Sequence, residues 1–407
     1  MNATALAING GSPVRTLPWP PRAQFGSEEL AMVTQVFEES RQCGWDFGYQ
    51  GRFETEYAAA FCRFQGGGLA DAVSSGTAAL LTALAALDLP ARSRIIFSPV
   101  TDPGGVTPAL FLGHAITVAD AEPGSYNLSA EALAATAERT GDASAVVVTH
   151  LAGIPADMDA ILPVARRYGL KVVEDCSQAH GARHRGRPVG VFGDVAVFST
   201  MFSKAHSTGG CGGLVYTMDP DVHWRGRAFA DRGKPSQAKA GYNPKDPRTY
   251  TGMGLNFNQD ELSCAIGLAT LAKLPDTIEK RLRVVEAINA GLEGLKSVRP
   301  IPYPAHCRSS PFFLTVAVDL ARLRAPKADF ARAVAAEGAW VNPDYGFVVA
   351  EWPWIKPYLP PGVSTPQASA FRETTFNLLF NERFGPAETD AVVACVRKVA
   401  AHLADER

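Results

Sequence analysis

Phe198-Ser-Thr-Met-Phe-Ser-Lys-Ala-His-Ser-Thr-Gly-Gly-Cys-Gly-Gly213 joins a short apolar run, Val195-Ala-Val-Phe198, to a cluster of hydroxyls, one lysine and four glycines. The apolar run reads as a buried strand that leads straight into Ser199, Ser203 and Lys204. The glycines force an irregular turn before strand character resumes at Leu214-Val-Tyr-Thr217. A lysine at such a strand end suits an amine held in a partly dehydrated pocket beside a bound anion. Burial disfavours its charged form, so Lys204 can attack a carbonyl as a neutral amine and form a Schiff base. The alternative is a surface lysine before a glycine loop.

Two stretches upstream weigh against that alternative. Val173-Glu-Asp-Cys-Ser-Gln-Ala-His-Gly181 ends another apolar run, and Ser74-Ser-Gly-Thr-Ala-Ala-Leu80 opens a helix. Between and around them the pattern alternates helix and strand. Helices are expected over 28–39, 53–64, 77–87, 106–112 and 158–168. A further helix begins at Ser129, its expected N-cap. Strands are expected over 70–74, 94–98, 115–119, 145–149, 170–174, 195–198 and 214–217. Continuous Val/Ile runs separated by helical stretches predict an α/β fold, a largely parallel sheet of seven strands covered on both faces. Ligands gather at the C-terminal strand ends of such sheets, where Ser75, Gly76, Thr77, Asp175 and Lys204 all fall.

The flanks differ in texture. Residues 1–24, with Leu17-Pro-Trp-Pro-Pro21, predict an extended arm. Gly44-Trp-Asp-Phe-Gly-Tyr-Gln-Gly51 reads as an aromatic loop, and 218–256 as a long irregular excursion. One long helix is expected over 259–289, broken or kinked near Pro275. A smaller α+β domain should follow: a strand over 312–318 and helices over 328–337 and 388–403. The expected division is an arm (1–24), a large domain (25–289) and a small domain (290–407).

Composition bounds the function. Hydrophobic residues make up 46% and charged residues 20% of the 407, as in an ordinary globular enzyme. A net charge of −2 gives no electrostatic case for nucleic acid or an anionic membrane. The seven cysteines are scattered without a CxxC pair, and no secretory pattern opens the chain. That predicts reduced thiols in a cytoplasm rather than disulfides or a zinc site, and no metal ligands are assigned. No apolar run approaches the roughly 18 residues a membrane span needs.

Together the three stretches resemble the DegT/DnrJ/EryC1/StrS family of sugar and cyclitol aminotransferases. Members have the aspartate-aminotransferase fold (fold type I) and use pyridoxal 5'-phosphate. Phe198 to Gly213 matches the family's lysine motif. Leu6 to Val14 resembles its N-terminal segment, and Gly254-Leu-Asn-Phe257 with Glu261 to Gly267 its long-helix entry. The resemblance implies that Lys204 holds the cofactor and moves the proton during transfer. Asp175 would keep the pyridine nitrogen protonated, the alternative being a turn or helix cap. Gln178 would sit near the ring hydroxyl, and His180 reads as a satisfied structural histidine.

Ser75, Gly76 and Thr77 at a helix N-terminus, joined by Ser199, form the implied phosphate cradle. Asn256 would reach the phosphate from a neighbouring subunit of a homodimer, or else make an Asx turn before the long helix. The Gly44–Gly51 loop would lie near the active site and the 218–256 excursion at the dimer interface.

Three positions depart from the family pattern. Asp102, within Thr101-Asp-Pro-Gly-Gly105, falls where an aromatic usually stacks on the ring. Cys211 replaces a glutamate and Asn258 an arginine. Asp102 therefore either faces the ring and helps choose the substrate, or turns away to cap the helix near Val106.

The implied reaction moves an amino group from glutamate or glutamine to a keto-sugar or keto-cyclitol, in secondary-metabolite (antibiotic) or polysaccharide biosynthesis. A dehydratase or eliminase is the alternative among enzymes, although relatives of that kind usually lose the lysine. A non-catalytic protein of the same fold is the alternative outside them.

Overall fold

The computed structural model describes residues 5–235, 243 and 245–407. Residues 1–4 of the expected arm, and 236–242 and 244 of the expected excursion, lie outside the described residues. Strands β1 (Leu69–Val73), β2 (Arg94–Phe97), β3 (Ala115–Val118), β4 (Ala143–Thr149), β5 (Lys171–Asp175), β6 (Val195–Ser199) and β7 (Gly213–Thr217) form one sheet. Their order is β1-β7-β6-β5-β4-β2-β3, and only β7 runs against its neighbours. This is the expected mostly parallel α/β sheet. Ile95, Ile96, Val146, Val147, Val173 and Val197 are essentially inaccessible to solvent, so these strands are buried on both faces. Each such side chain contributes about 1.5–3 kcal/mol relative to leaving it in water.

The connection after β1 is made by the helix Gly76–Ala86. It starts where expected because the Ser75 side chain accepts from the Ala78 amide at 3.0 Å. Ala79, Leu80 and Ala83 press this helix onto the sheet without solvent access. Ser129 likewise caps Ala130–Thr140, accepting from Ala132.

Three expectations need correction. The stretch from 218 is not irregular throughout, since Pro220–Ala230 is a helix. Asp219 caps it and Pro220 occupies its first turn, both start signals, but its buried face is only Val222, His223, Gly226 and Ala230. Gly226 faces the helix Gly76–Ala86, where a Cβ would meet Ala86 and Thr82 at an ordinary 3.5 Å. The long helix runs unbroken from Glu261 to Leu292 through Pro275. A third, three-stranded sheet links Arg183–His184, Arg187–Pro188 and Cys307–Arg308, strands too short for periodicity to reveal.

Beyond the long helix, β8 (Val298–Pro300), β9 (Leu314–Val318), β10 (Val341–Asn342) and β11 (Thr375–Leu378) form an antiparallel sheet in the order β8-β9-β11-β10. Helices Lys327–Ala336 and Pro386–Leu403 pack on it through Phe330, Val334, Val392 and Val396. The long helix joins the two regions. Cys264, Leu271 and Ile278 belong to the core beside the large sheet, and Val284, Ile288 and Leu292 to the core of the small one. The N-terminal segment is extended apart from a turn at Ala7–Asn9, and Trp19 stacks on Phe384 with centroids 4.7 Å apart. Among the described residues no helix is long and apolar enough to cross a membrane.

Candidate active site

A cleft of about 260 Å³ opens at the C-terminal edge of the large sheet and takes in eight of the nine candidate residues. The ninth, Asn256, lies outside it. Its side chain is exposed, and its Oδ1 accepts from Asn258 Nδ2 at 2.8 Å.

Lys204 follows β6 in the loop before the glycine turn. Its backbone is held at both the amide and the carbonyl, and the arginine on the carbonyl is itself anchored. The amide donates to Met201 at 2.9 Å, Arg22 Nη2 donates to its carbonyl at 2.7 Å, and Arg22 Nε pairs with Glu382 at 2.8 Å. Glu382 in turn binds the buried Arg281 at 3.0 Å, so the small sheet's surroundings help hold the lysine loop. Nζ stands 4.7 Å from the centre of the Phe312 ring. Burial holds the Lys204 ammonium below lysine's usual range, while the Asp175 and Asp102 carboxylates pull the other way. Burial wins, which is what a nucleophilic lysine needs.

Asp175 ends β5. Oδ1 accepts from the Ser177 amide at 3.0 Å, and among the described residues nothing binds Oδ2. One oxygen thus fixes the carboxylate and the other remains for a ligand donor. Gln178 is oriented at both ends: Oε1 accepts from the Ala152 amide at 2.9 Å and Nε2 donates to the Tyr345 hydroxyl at 3.2 Å.

The N-terminus of the helix Gly76–Ala86 lines the same cleft. Because Ser75 Oγ satisfies Ala78, the Gly76 and Thr77 amides have no acceptor among the described residues. A Cβ on Gly76 would sit 2.6 Å from Ser199 Cβ, so only glycine lets Ser199 close against this terminus. Two free amides, the Thr77 hydroxyl and Ser199 make an anion cradle of the sort a phosphate monoester requires.

Asp102 combines its two expected placements. Oδ1 accepts from the Gly104 amide at 2.9 Å, capping the turn Pro103–Gly105, while the side chain also lines the cleft. The following helix starts later, at Thr107. Cys211 is exposed and reaches the cleft, whereas Asn258 turns to Gln50 and Asp231. His180 is buried away from the cleft and burial keeps it neutral. Its Nε2 has no partner among the described residues, so it is less satisfied than expected.

Sequence reasoning missed Ser177, whose Oγ accepts from the Ser199 amide at 3.0 Å, and also Arg22, Phe312 and Tyr345. The last two come from the far side of the long helix, and nothing local marks them.

A mostly parallel seven-stranded sheet with a depressed lysine, a half-open carboxylate and an anion cradle lining one cleft is an arrangement suited to the pyridoxal-phosphate class of enzyme. The comparisons agree. The model of the DegT/DnrJ/EryC1/StrS aminotransferase family matches residues 25–397, and the chain belongs to that family.

It is 33% identical over 305 residues to the L-glutamine:2-deoxy-scyllo-inosose aminotransferase of Micromonospora echinospora, covering 72% of this chain and 70% of that one. It is 32% identical over 342 residues to the L-glutamine:scyllo-inosose aminotransferase of Streptomyces griseus, covering 82% and 79%. Among solved structures, the aminotransferase from Psychrobacter cryohalolentis matches with a TM-score of 0.84 at 25% identity, over 96% of this chain and 100% of that one. The protein is an aminotransferase and its cofactor is pyridoxal phosphate.

Proposed function

We propose that this aminotransferase moves the amino group of glutamine, or of glutamate, onto the carbonyl of a keto-cyclitol or a related keto-sugar. The observation that carries the reading is Lys204, depressed by burial and lining one cleft with the residues of an anion cradle. The substrate class rests on the two relatives above, both of which act on inososes with glutamine.

Pyridoxal phosphate, when bound, supplies an aldehyde for the amine and a ring that acidifies the adjacent C–H bond. This chain's residues would do the rest. Gly76, Thr77 and Ser199 bind the phosphate, and Asp175 Oδ2 holds the proton on the ring nitrogen. Gln178 would meet the ring hydroxyl, and Lys204 Nζ would carry the proton between the reacting substrate carbon and the cofactor's aldehyde carbon. Asp102 binds an amine or hydroxyl of the substrate.

Holoenzyme given α-¹⁵N-glutamine and scyllo-inosose should place the label on the cyclitol. Transfer only to nucleotide-linked keto-sugars would overturn the cyclitol assignment, and no transfer to either would overturn the reading as a whole.

Asp102→Asn keeps an acceptor for Gly104 but removes the charge. It should lower kcat/KM for the keto acceptor about tenfold, since a hydrogen bond to a charged group contributes about 1.5–3 kcal/mol. The donor half-reaction should change less. Equal effects on both would leave Asp102 as a turn residue alone.

The working unit is proposed to be a homodimer in the cytoplasm, with the chain divided into an arm (1–24), a large domain (25–289) and a small one (290–407). Support comes from the small sheet's own core, although Val349, Trp352 and Ile355 pack with the large sheet, from cysteines that are all free, and from exposed apolar side chains. Trp45 at 75%, Phe202 at 60% and Met253 at 93% exposure lie in the aromatic loop, the lysine loop and the approach to Asn256. Such residues belong against a partner. Asn256, outside its own cleft, would serve the partner's. Mixing Lys204→Ala chains with Asn256→Ala chains should restore activity through hybrids with one intact site. No recovery, with hybrids verified, would confine Asn256 to an Asx turn.

A further inference from the structure

We propose that His184, His306 and Cys307 form a structural binding site for a zinc-class divalent ion, separate from the active-site cleft. The three ligand atoms lie within 4.8 Å of one another. Backbone pairing fixes them there. His184 and Cys307 are directly opposite in antiparallel strands and so share a face, and the Arg185 amide donates to the His306 carbonyl at 2.7 Å.

His184 points to a missing ligand. It is only 1% exposed, yet neither ring nitrogen makes a hydrogen bond among the described residues. Buried polar atoms are rarely left so, and an unfilled metal position is one of the few explanations available to an imidazole. Its Nε2 stands 3.4 Å from Asp159 Oδ2 and 3.8 Å from Asp157 Oδ1, ion-pair distances for a protonated ring, and completes a hydrogen bond with neither. A metal on Nδ1 would leave Nε2–H to those carboxylates, the outer-sphere arrangement that orients metal-binding histidines. His306 is in edge contact with His184, ring centroids 4.9 Å apart.

The donor chemistry selects the ion. Two imidazoles and a thiolate suit zinc, with a fourth position left for water or a carboxylate. A second cluster, His150, Glu174 and Cys176, is different. There His150 bonds Glu174 at 3.0 Å and accepts from Ala156 at 3.0 Å, and Glu174 also takes the Gly190, Phe192 and Gly193 amides. That network is filled by the protein itself.

None of His184, His306 and Cys307 lines the cleft. The ion would fasten the crossing strand Cys307–Arg308 to the large sheet's outer loops. The same segment continues through Ser310, whose amide donates to Gly153 at 3.0 Å, to Phe312 over Lys204. Scattered cysteines gave no zinc spacing because the ligands are brought together only by the third sheet.

The test uses chelator-dialysed holoenzyme titrated with Zn²⁺ against a chromophoric competitor, and with Co²⁺ read by its thiolate charge-transfer band. One ion per chain is expected. Cys307→Ser and His306→Asn should each weaken Zn²⁺ binding more than about 100-fold and Asp159→Asn by about 10–100-fold, as for ligands and their outer-sphere partners. The Co²⁺ band should vanish in Cys307→Ser. Cys43→Ser and Cys211→Ser, changing the two exposed thiols, should alter neither. Absence of saturable binding, binding unchanged by both Cys307→Ser and His306→Asn, or binding lost with Cys211 would overturn the site. Should Cys307→Ser fail to fold, the partly exposed His306→Asn carries the test alone.

Discussion

Lys204→Ala should lower turnover by more than about 10⁴-fold, the upper end of what a positioned proton carrier contributes, because it also removes the nucleophile. The purified holoenzyme should absorb in the visible, and borohydride should fix cofactor to Lys204. Both signatures should vanish in the variant, and a reducible link surviving in it would show that another amine holds the cofactor. The fold should not suffer. Nζ makes no hydrogen bond among the described residues, and its contact with Phe312, about 2 kcal/mol for a desolvated cation, is its main attachment.

Against that contact stands the cost of burial, which lowers the ammonium's pKa despite two nearby carboxylates. The apoprotein with alanine should therefore melt no lower than the parent. Lys204→Arg sharpens the test, since arginine keeps the charge but cannot give up its proton near neutral pH. If Lys204→Arg retained more than a hundredth of the parent rate, the lysine's role would be electrostatic and not proton transfer.

How much of this was legible in the sequence depends on how local each signal is. The parallel sheet was readable because runs such as Ala145-Val-Val-Val-Thr149 have no polar face to offer water. The helix Pro220–Ala230 was not, because its buried face is a glycine, an alanine, a histidine and one valine, too weakly apolar to show a period. Pro275 suggested a break that a helix anchored in two cores does not show.

Lys204, Asp175 and the Ser75–Thr77 turn could be brought to one cleft from the sequence because strand ends and a helix start place them by rule. Phe312, Tyr345 and Arg22 could not, since each arrives by tertiary packing from a segment with no mark of its own. Asp102 was read as facing the ring or capping a turn, and it caps the turn while lining the cleft, one oxygen being enough for the cap.

Asp175→Asn tests the electron-sink role with little disturbance of shape. The asparagine carbonyl can keep the bond from Ser177, now 3.0 Å long, so the loop after β5 should stay in place. Its amide would point where Oδ2 now lies open. An amide donor there favours an unprotonated ring nitrogen, whereas the carboxylate favours a protonated one. Cofactor affinity should fall less than about tenfold, because the phosphate cradle is untouched and exchanging a charged contact for a neutral one costs about 1 kcal/mol. Turnover should fall by about 10²–10⁴-fold, in the range of other positioned proton-holding groups.

A second readout separates this from a structural effect. Asp175 raises the Lys204 pKa, so removing its charge should move the Lys204 titration to lower pH. The acid limb of the pH–rate profile should shift the same way, because the neutral amine then persists in more acidic solution. Asp175→Ala loses the Ser177 bond as well and should lower both affinity and rate. Turnover within threefold of the parent in Asp175→Asn, or an acid limb that does not move, would reduce Asp175 to the cap of its own turn.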